Sequence, residues 1–169
     1  MNAGSCTLAR TGALEETVEE LDDMASLLDL FRPRGAHIKA PLLAALKREG
    51  HEVLGEGGAR VAVALNEHWV AKVAFCAHGV EQNQAEAEQW AKLCGTPAGE
   101  LLAEVQAVTS SGRVLVMERV TPVEAEASAD VSSRRGLLSA LYRPIFDSAF
   151  FFNWGESGRG MVLLDYGNL

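Results

Sequence analysis

Two charged residues in apolar surroundings are the first candidates for chemistry. Lys72 lies inside the apolar segment 69–75, WVAKVAF, where its ammonium group requires an anion or a route to water. Glu86 is spaced three residues from Asn83 and four from Trp90, so the three side chains share one face of a predicted helix. A carboxylate on a buried face requires a cation, and Lys72 is the candidate. A lysine at a strand edge and a glutamate in solvent are the alternatives.

Asn153 and Asp165 lie on opposite sides of a predicted hairpin near the end of the sequence, in the segments NWG and LLDYG. Amide and carboxylate oxygens are hard ligands, and Mg²⁺ combines one or two carboxylates with waters and phosphates. The pair is therefore a candidate magnesium site, with Asn153 as an ordinary turn residue as the alternative.

A glycine-rich turn between two strands is predicted in 54–63, LGEGGARVAV. Gly55, Gly57 and Gly58 lack a Cβ atom, so backbone N–H groups in this turn can approach phosphate oxygens closely. Taken alone, a purely structural turn is the commoner explanation.

Two helices are predicted ahead of these residues. Apolar residues recur every three to four positions over 14–31, and 41–50 has Pro41 in its first turn and Gly50 as a left-handed cap. Strands and further helices follow: a strand pattern over 53–75, a helix over about 80–93, a hairpin from 101–109 and 113–120, a helix around 134–143, and a last hairpin that ends before Asp165.

The first helix has an acidic face. Such a face is commonly just solvated, but it could also dock a basic partner or partly mimic nucleic acid. The formal net charge of −8 argues against direct binding to nucleic acid or to an anionic membrane surface. The acidic face consists of Glu15, Glu16, Glu19, Glu20, Asp22 and Asp23.

The remaining composition predicts a cytoplasmic protein. Cys6, Cys76 and Cys94 are not closely spaced, which favours free thiols in a reducing compartment over a disulfide framework or a zinc site. Residues 1–13 lack the apolar centre of a signal peptide, and no apolar run has the length of a membrane span.

The order of these features resembles that of a protein kinase, and most closely that of small kinase-like proteins of phages and prophages. The resemblance covers residues from about Val53 to Gly167. It is carried by six motifs: Gly57 to Arg60, Val70-Ala71-Lys72, Asn83/Glu86/Trp90, Met117 to Val120, Asn153-Trp154-Gly155 and Asp165-Tyr166-Gly167.

This resemblance implies a set of roles in binding ATP and Mg²⁺. Lys72 would hold the phosphates and pair with Glu86, beneath a covering loop of Gly55, Gly57 and Gly58. The backbone from Glu118 to Val120 would meet the adenine. Asn153 and Asp165 would share the Mg²⁺, and Asp147 would be the catalytic base.

The sequence also departs from the kinase pattern. Arg60 replaces the third glycine of the loop, and no His-Arg-Asp triplet is present. Asp147 lies six residues before Asn153, where kinases use five. Ala149, or Phe150 if the register slips, takes the place of the loop lysine. The sequence stops two residues after Gly167, before any activation segment.

The resulting prediction is an α+β chain with a reduced kinase-like fold. It has an N-terminal helical extension (1–52), an N-lobe with an antiparallel sheet and one helix (53–120), and a truncated C-lobe (121–169). Two functions follow from it. One is a kinase-like protein with degraded catalytic machinery that binds ATP and Mg²⁺. The other is a non-enzymatic, phage-encoded inhibitor, for example an anti-CRISPR or other anti-defence protein, whose acidic surface binds a basic protein of the bacterial host.

Overall fold

The computed structural model describes residues 12–31, 38–123, 128–142 and 153–167. These residues form a mixed α+β structure. Its helices are α1 (Gly12–Leu30), α2 (Lys39–Arg48), α3 (Ala77–Leu93) and α4 (Ser128–Leu141), with a short 3₁₀ turn at Gly99–Leu101. Its strands are β1 (Val53–Glu56), β2 (Arg60–Ala64), β3 (Trp69–Ala74), β4 (Val105–Val108), β5 (Val114–Glu118), β6 (Thr121–Pro122), β7 (Trp154–Ser157) and β8 (Gly160–Leu163).

Two antiparallel sheets organise the strands. The larger has the order β1-β2-β3-β5-β4, and the smaller has the order β6-β7-β8. In the larger sheet Lys72 of β3 lies opposite Ala62 of β2 and Leu115 of β5. Helix α3 connects β3 to β4, so the residues that follow Lys72 lead directly into the helix that carries Glu86.

The larger sheet separates two hydrophobic cores. Successive side chains of a strand point to opposite faces. Ala71 and Val73 of β3 accordingly pack in one core with residues of α1 and α2, whereas Val70 packs against the other. That second core contains Leu115 of β5 together with Trp154 and Tyr166, so β5 and the last hairpin share one apolar interior. The predicted segments 1–52 and 53–120 therefore share the first core, and the predicted segments 53–120 and 121–169 share the second.

Most element types agree with the sequence patterns, and the ends differ. Gly50 follows α2 with φ of +84°, which is the left-handed conformation expected of its cap. Helix α3 begins three residues before the predicted start, and α4 begins six residues before its predicted start. The predicted strand 101–109 is wrong in its first half, because Leu101 ends a 3₁₀ turn and Leu102 makes only an isolated bridge. An apolar run alone does not distinguish a strand from another buried segment.

No helix in the described ranges is long and apolar enough to cross a membrane.

Candidate functional site: a buried charge cluster

Lys72 and Glu86 form the ion pair that the sequence suggests. Lys72 lies on β3 and Glu86 on the buried face of α3. Lys72 Nζ donates hydrogen bonds of 2.8 and 2.9 Å to the two carboxylate oxygens. Glu86 has 0% of its surface exposed, so the simpler interpretation of a glutamate in solvent is wrong. Lys72 is also inside, since its side chain is only 13% exposed.

Arg60 is the second cation of the cluster. It is the first residue of β2, directly after the glycine-rich turn, and it is 7% exposed. Its NH2 nitrogen lies 3.1 Å from Glu86 Oε1 and 2.9 Å from Asp165 Oδ1. Its NH1 nitrogen donates to Asn83 Oδ1 at 3.1 Å. Arg60 thereby connects the turn, α3 and the segment after β8.

The segment that follows β8 packs directly on Lys72 and α3. Lys72 Nζ donates to the carbonyl of Leu164 at 2.6 Å, and the backbone N–H of Tyr166 donates to Glu86 Oε1 at 3.3 Å. A Cβ atom on Gly167 would lie 2.6 Å from the backbone oxygen of Gln82, so only glycine fits this contact with α3. The Asp-Tyr-Gly tripeptide is therefore held against the face of α3 that bears Glu86.

Asn83 supports this face from within. It is fully buried, and its Nδ2 donates to the carbonyls of Lys72, Gly112 and Arg113 while its Oδ1 accepts from Arg60. The sequence places Asn83 on the same face as Glu86 but gives no indication of its three backbone partners. Gln89, three residues after Glu86, shares this face by the same spacing rule. It is buried as well, and its Oε1 accepts from the hydroxyl of Tyr142.

Burial and mutual attraction shift the pKa values of the cluster. Burial lowers the pKa of Lys72, and nearby Arg60 lowers it further, against the opposing attraction of Glu86 and Asp165. Burial raises the pKa of Asp165, but Lys72 and Arg60 outweigh burial and hold that pKa below its usual range. Burial lowers the pKa of Arg60, and the attraction of Glu86 and Asp165 outweighs it, so the net shift is upward. The ionised forms of Asp165 and Arg60 therefore stabilise each other.

The glycine-rich turn is braced by backbone and lysine contacts. The N–H of Gly57 donates to the carbonyl of Arg60 at 2.8 Å, and the carbonyl of Gly57 accepts from Lys39 Nζ. Gly55 and Gly58 are exposed. None of the three turn glycines has a positive φ, so the backbone conformation of the turn does not itself require glycine. The predicted role of these N–H groups in holding phosphate stays a prediction.

The segment from Glu118 to Val120 uses two of its backbone donors within the protein. The N–H of Glu118 donates to the carbonyl of Glu104, and that of Arg119 donates to the carbonyl of His68. A cavity of about 620 Å³ borders this segment and is lined by Glu67, Glu104, Glu118 and Glu156, among others. Burial and the neighbouring Glu118 raise the pKa of Glu104, with Arg159 opposing them. This cavity shares no lining residue with the smaller one beside the glycine-rich turn.

Asn153 and Asp147 are the other side chains predicted for the kinase-like site, and only Asn153 lies among the described residues. Asn153 precedes β7, and its carbonyl accepts from the N–H of Leu164, so it lies across the hairpin from the start of the Asp-Tyr-Gly tripeptide. Asp147 lies outside the described residues. Within the described part of the chain, no group of three or more His, Cys, Asp or Glu side chains is arranged to hold a metal ion.

The ATP and Mg²⁺ implied by the resemblance do not fit this arrangement of side chains. Asp165 Oδ1, on the implied metal ligand, already accepts from Arg60, and Lys72 Nζ donates to the carbonyl of Leu164 in addition to pairing with Glu86. The cavity bounded by Gly57, Gly58, Arg60 and Asp165 has a volume of about 150 Å³. Ligand pockets usually have volumes of roughly 300–1,000 Å³. A nucleotide with its metal would need Arg60 to move.

A groove separates the acidic face of α1 from the edge of the larger sheet. It has a volume of about 460 Å³ and is lined by Val18, Glu19 and Asp23 from α1 and by residues of β4 and β5. Asp22 lines the groove too, but its carboxylate accepts from the hydroxyls of Thr109 and Ser111. The lining also includes Leu14, Glu15, Gln106, Ala107, Val108, Ser110 and Val116, and it contains no Lys, Arg or His.

Neither a comparison with models of known protein families nor a search of curated proteins finds a match to this chain.

Proposed function

We propose that the chain is a small protein of reduced kinase-like fold with degraded catalytic machinery, in which the kinase-like residues hold the structure together and do not transfer phosphate. The observation that carries this proposal is the meeting of Lys72, Glu86 and the Asp165 segment through direct hydrogen bonds. In protein kinases the lysine is on the third strand, its glutamate partner is on the next helix, and the metal-binding aspartate begins an Asp-Phe-Gly tripeptide.

The positions of these residues in the elements support the resemblance. Lys72 is on the third strand of an antiparallel sheet, and Glu86 is on the helix that connects this strand to the next. Asp165 follows the second strand of the last hairpin. Three motifs that are far apart in sequence are thus joined at one point, as the kinase-like interpretation requires.

Degraded catalysis is supported by the way the charges are used. Phosphoryl transfer depends on positioning and on cations aimed at the phosphates. Here Lys72 and Arg60 direct their donors to protein oxygens, and the cavity beside them is small. Both cations are therefore already hydrogen-bonded to groups of the protein.

Phosphotransfer with radiolabelled ATP and Mg²⁺ tests this proposal. The parent protein should give no autophosphorylation and no transfer to a generic protein substrate above the level of Lys72→Met and Asp165→Asn. Protein kinases typically turn over at about 1–100 s⁻¹. Transfer by the parent that both substitutions abolish would show that the machinery is intact and would overturn the proposal.

A second function, binding of a basic segment of a partner protein, is favoured by the groove beside α1. Glu19 and Asp23 contribute carboxylates, and Val18 and Val108 contribute apolar surface. Lysine and arginine lay their aliphatic stems on apolar surface while their charged ends meet carboxylates. The buried Oε1 of Gln106 has no hydrogen-bond partner among the described residues and would accept a donor from such a side chain.

Binding of a fluorescent oligo-arginine peptide tests this second function. Anisotropy should show association that weakens strongly between about 50 and 500 mM salt, because exposed charges are screened over shorter distances as salt rises. Glu19→Lys combined with Asp23→Lys should abolish the association. Glu16→Lys combined with Glu20→Lys is the matched control, since both residues are exposed on the same helix, do not line the groove and give the same change in net charge. Equal loss in the control, or no loss in Glu19→Lys combined with Asp23→Lys, would refute the groove.

A further inference from the structure

A single nitrogen atom of Arg60 joins the two carboxylates of the cluster. Arg60 NH2 lies within hydrogen-bond distance of both Glu86 Oε1 and Asp165 Oδ1. A divalent cation ligated by these two oxygens would occupy the same place, since Mg²⁺ and Ca²⁺ lie roughly 2.0–2.6 Å from their oxygen ligands. The guanidinium and a metal ion are therefore mutually exclusive at this position.

The charges of the cluster balance without any added ion. Glu86 and Asp165 supply two negative charges, and Lys72 and Arg60 supply two positive charges. Glu86 is fully buried and Arg60 nearly so. Buried ions are tolerated when they are paired and hydrogen-bonded, and removal of one partner leaves an uncompensated charge. Without Arg60, only Lys72 would face two carboxylates.

We propose that Arg60 is a built-in replacement for a divalent cation, which makes this carboxylate pair independent of metal. The proposal stands on the contacts of Arg60 and does not require the kinase-like interpretation. It predicts that the parent protein excludes divalent ions from the cluster, and that removing the guanidinium creates a binding site for them between Asp165 and Glu86.

The fork of the guanidinium explains why an arginine is needed here. NH1 donates to Asn83 Oδ1 while NH2 spans the two carboxylates, so one side chain satisfies three acceptors at fixed angles. An ammonium group has no such planar fork and lies on a different stem. A lysine at position 60 would keep the positive charge but not all three contacts.

The direct test measures melting temperatures of Arg60→Ala with MgCl₂, with MnCl₂ and with NaCl at matched ionic strength. We expect Arg60→Ala to melt below the parent without metal, and divalent salt to raise its melting temperature by about 3–6 °C at roughly ten times Kd. The parent should show no such rise. Arg60→Ala combined with Asp165→Asn should lose the response, because one of the two ligands is gone. Arg113→Ala, which removes an arginine that pairs with Asp29 elsewhere, is the control and should not respond.

Three results would overturn the proposal. One is an equal response to divalent salt in Arg60→Ala and in its combination with Asp165→Asn. Another is the absence of any response in a folded Arg60→Ala protein. The third is Mn²⁺ that binds to the parent protein, is detected by water-proton relaxation and is lost in Asp165→Asn. This result would show that Arg60 does not exclude the ion, and it can be obtained even if Arg60→Ala does not fold.

Discussion

Glu86 is the residue on which the cluster depends most. Its Oε1 accepts from Lys72, from Arg60 and from the backbone of Tyr166, and its Oε2 accepts a second hydrogen bond from Lys72. All of these donors lie outside α3. A carboxylate at this position therefore stabilises β2, β3 and the segment after β8 at the same time.

Replacing Glu86 with Gln should strongly destabilise the protein. The amide keeps the shape but leaves two cations facing Asp165 alone, and breaking a buried ion pair typically costs about 3–5 kcal/mol. Urea denaturation would measure the free energy of unfolding. Glu88→Gln on the exposed side of the same helix is the control and should change it by less than about 0.5 kcal/mol. Similar values for both variants would contradict the importance of the buried pair.

Asp165 should contribute to stability at neutral pH and lose that contribution in acid. Its pKa is below the usual range in the folded protein because of Lys72 and Arg60, although burial opposes them. As pH falls, the carboxylate of Asp165 is therefore protonated first in the unfolded state. The stabilisation is complete at pH values above the pKa of Asp165 in the unfolded state, and it is lost as pH falls to the pKa in the folded state.

Urea denaturation at several pH values tests this dependence. Between about pH 5 and pH 3 the free energy of unfolding should fall less steeply for Asp165→Asn than for the parent. Asp23→Asn, the same chemical change on the exposed side of α1, serves as the control. Parallel curves for the parent and Asp165→Asn would mean that the pairing contributes nothing.

The sequence predicts the Lys72–Glu86 pair directly, but it indicates the role of Arg60 only indirectly. A lysine in a strand and a glutamate on the inner face of the next helix are expected to meet. The burial of Val61 and Val63 on one face of β2 places Arg60 and Ala62 on the face of Lys72. The contact of Arg60 with Asp165, however, depends on how the last hairpin packs, and no local pattern encodes that packing.

Helix α3 is the element around which the cluster is assembled. The turn before β2 reaches its first residues and the segment after β8 reaches its middle, and a glycine allows each approach. A Cβ atom on Gly79 would collide with the backbone oxygen of Ala59, and one on Gly167 would lie 2.6 Å from that of Gln82. These close approaches bring Arg60 and Asp165 to the same face of the helix.

Gly79→Ala should therefore destabilise the protein although alanine favours helices. The added methyl group meets backbone, which cannot easily move, and overpacking of this kind costs about 1–3 kcal/mol. Gly136→Ala is the matched control, because Gly136 lies in α4 with no atom within 4 Å of a built Cβ. That substitution should be neutral or stabilising by up to about 1 kcal/mol. Melting temperatures of the two variants compare them directly, and stabilisation by Gly79→Ala would refute the close contact.

The larger sheet lies between two cores, and this arrangement makes α1 part of the folded unit. Leu21 and Ala25 of α1 are fully buried in the core beneath the sheet, where α1 packs against β3 and β5. The sequence predicts the apolar stripe of α1 but not which surface covers it. An acidic helix with a buried apolar stripe is compatible with packing on the sheet and with docking of a partner, and only tertiary contacts distinguish them.

Leu21→Ala should destabilise the protein by about 2–5 kcal/mol, as expected for a large-to-small change at a fully buried position. Leu30→Ala is the control, because Leu30 is 74% exposed on the same helix. Unfolding of the Leu21 variant should also remain a single transition when it is followed by tryptophan fluorescence and by circular dichroism. A separate early loss of helix would show that α1 is not integral to the sheet.

In the function that we propose, the internal charges of the chain close the nucleotide and metal positions of a kinase-like fold. The most direct test is a thermal-shift titration of the unmodified protein with ATP, with and without Mg²⁺, since a ligand that binds only the folded state must raise the melting temperature once its concentration exceeds Kd. We expect no magnesium-dependent rise at millimolar nucleotide. A magnesium-dependent rise that Asp165→Asn abolishes would contradict the proposed function, because Asp165 would then hold a metal–nucleotide pair in place of Arg60.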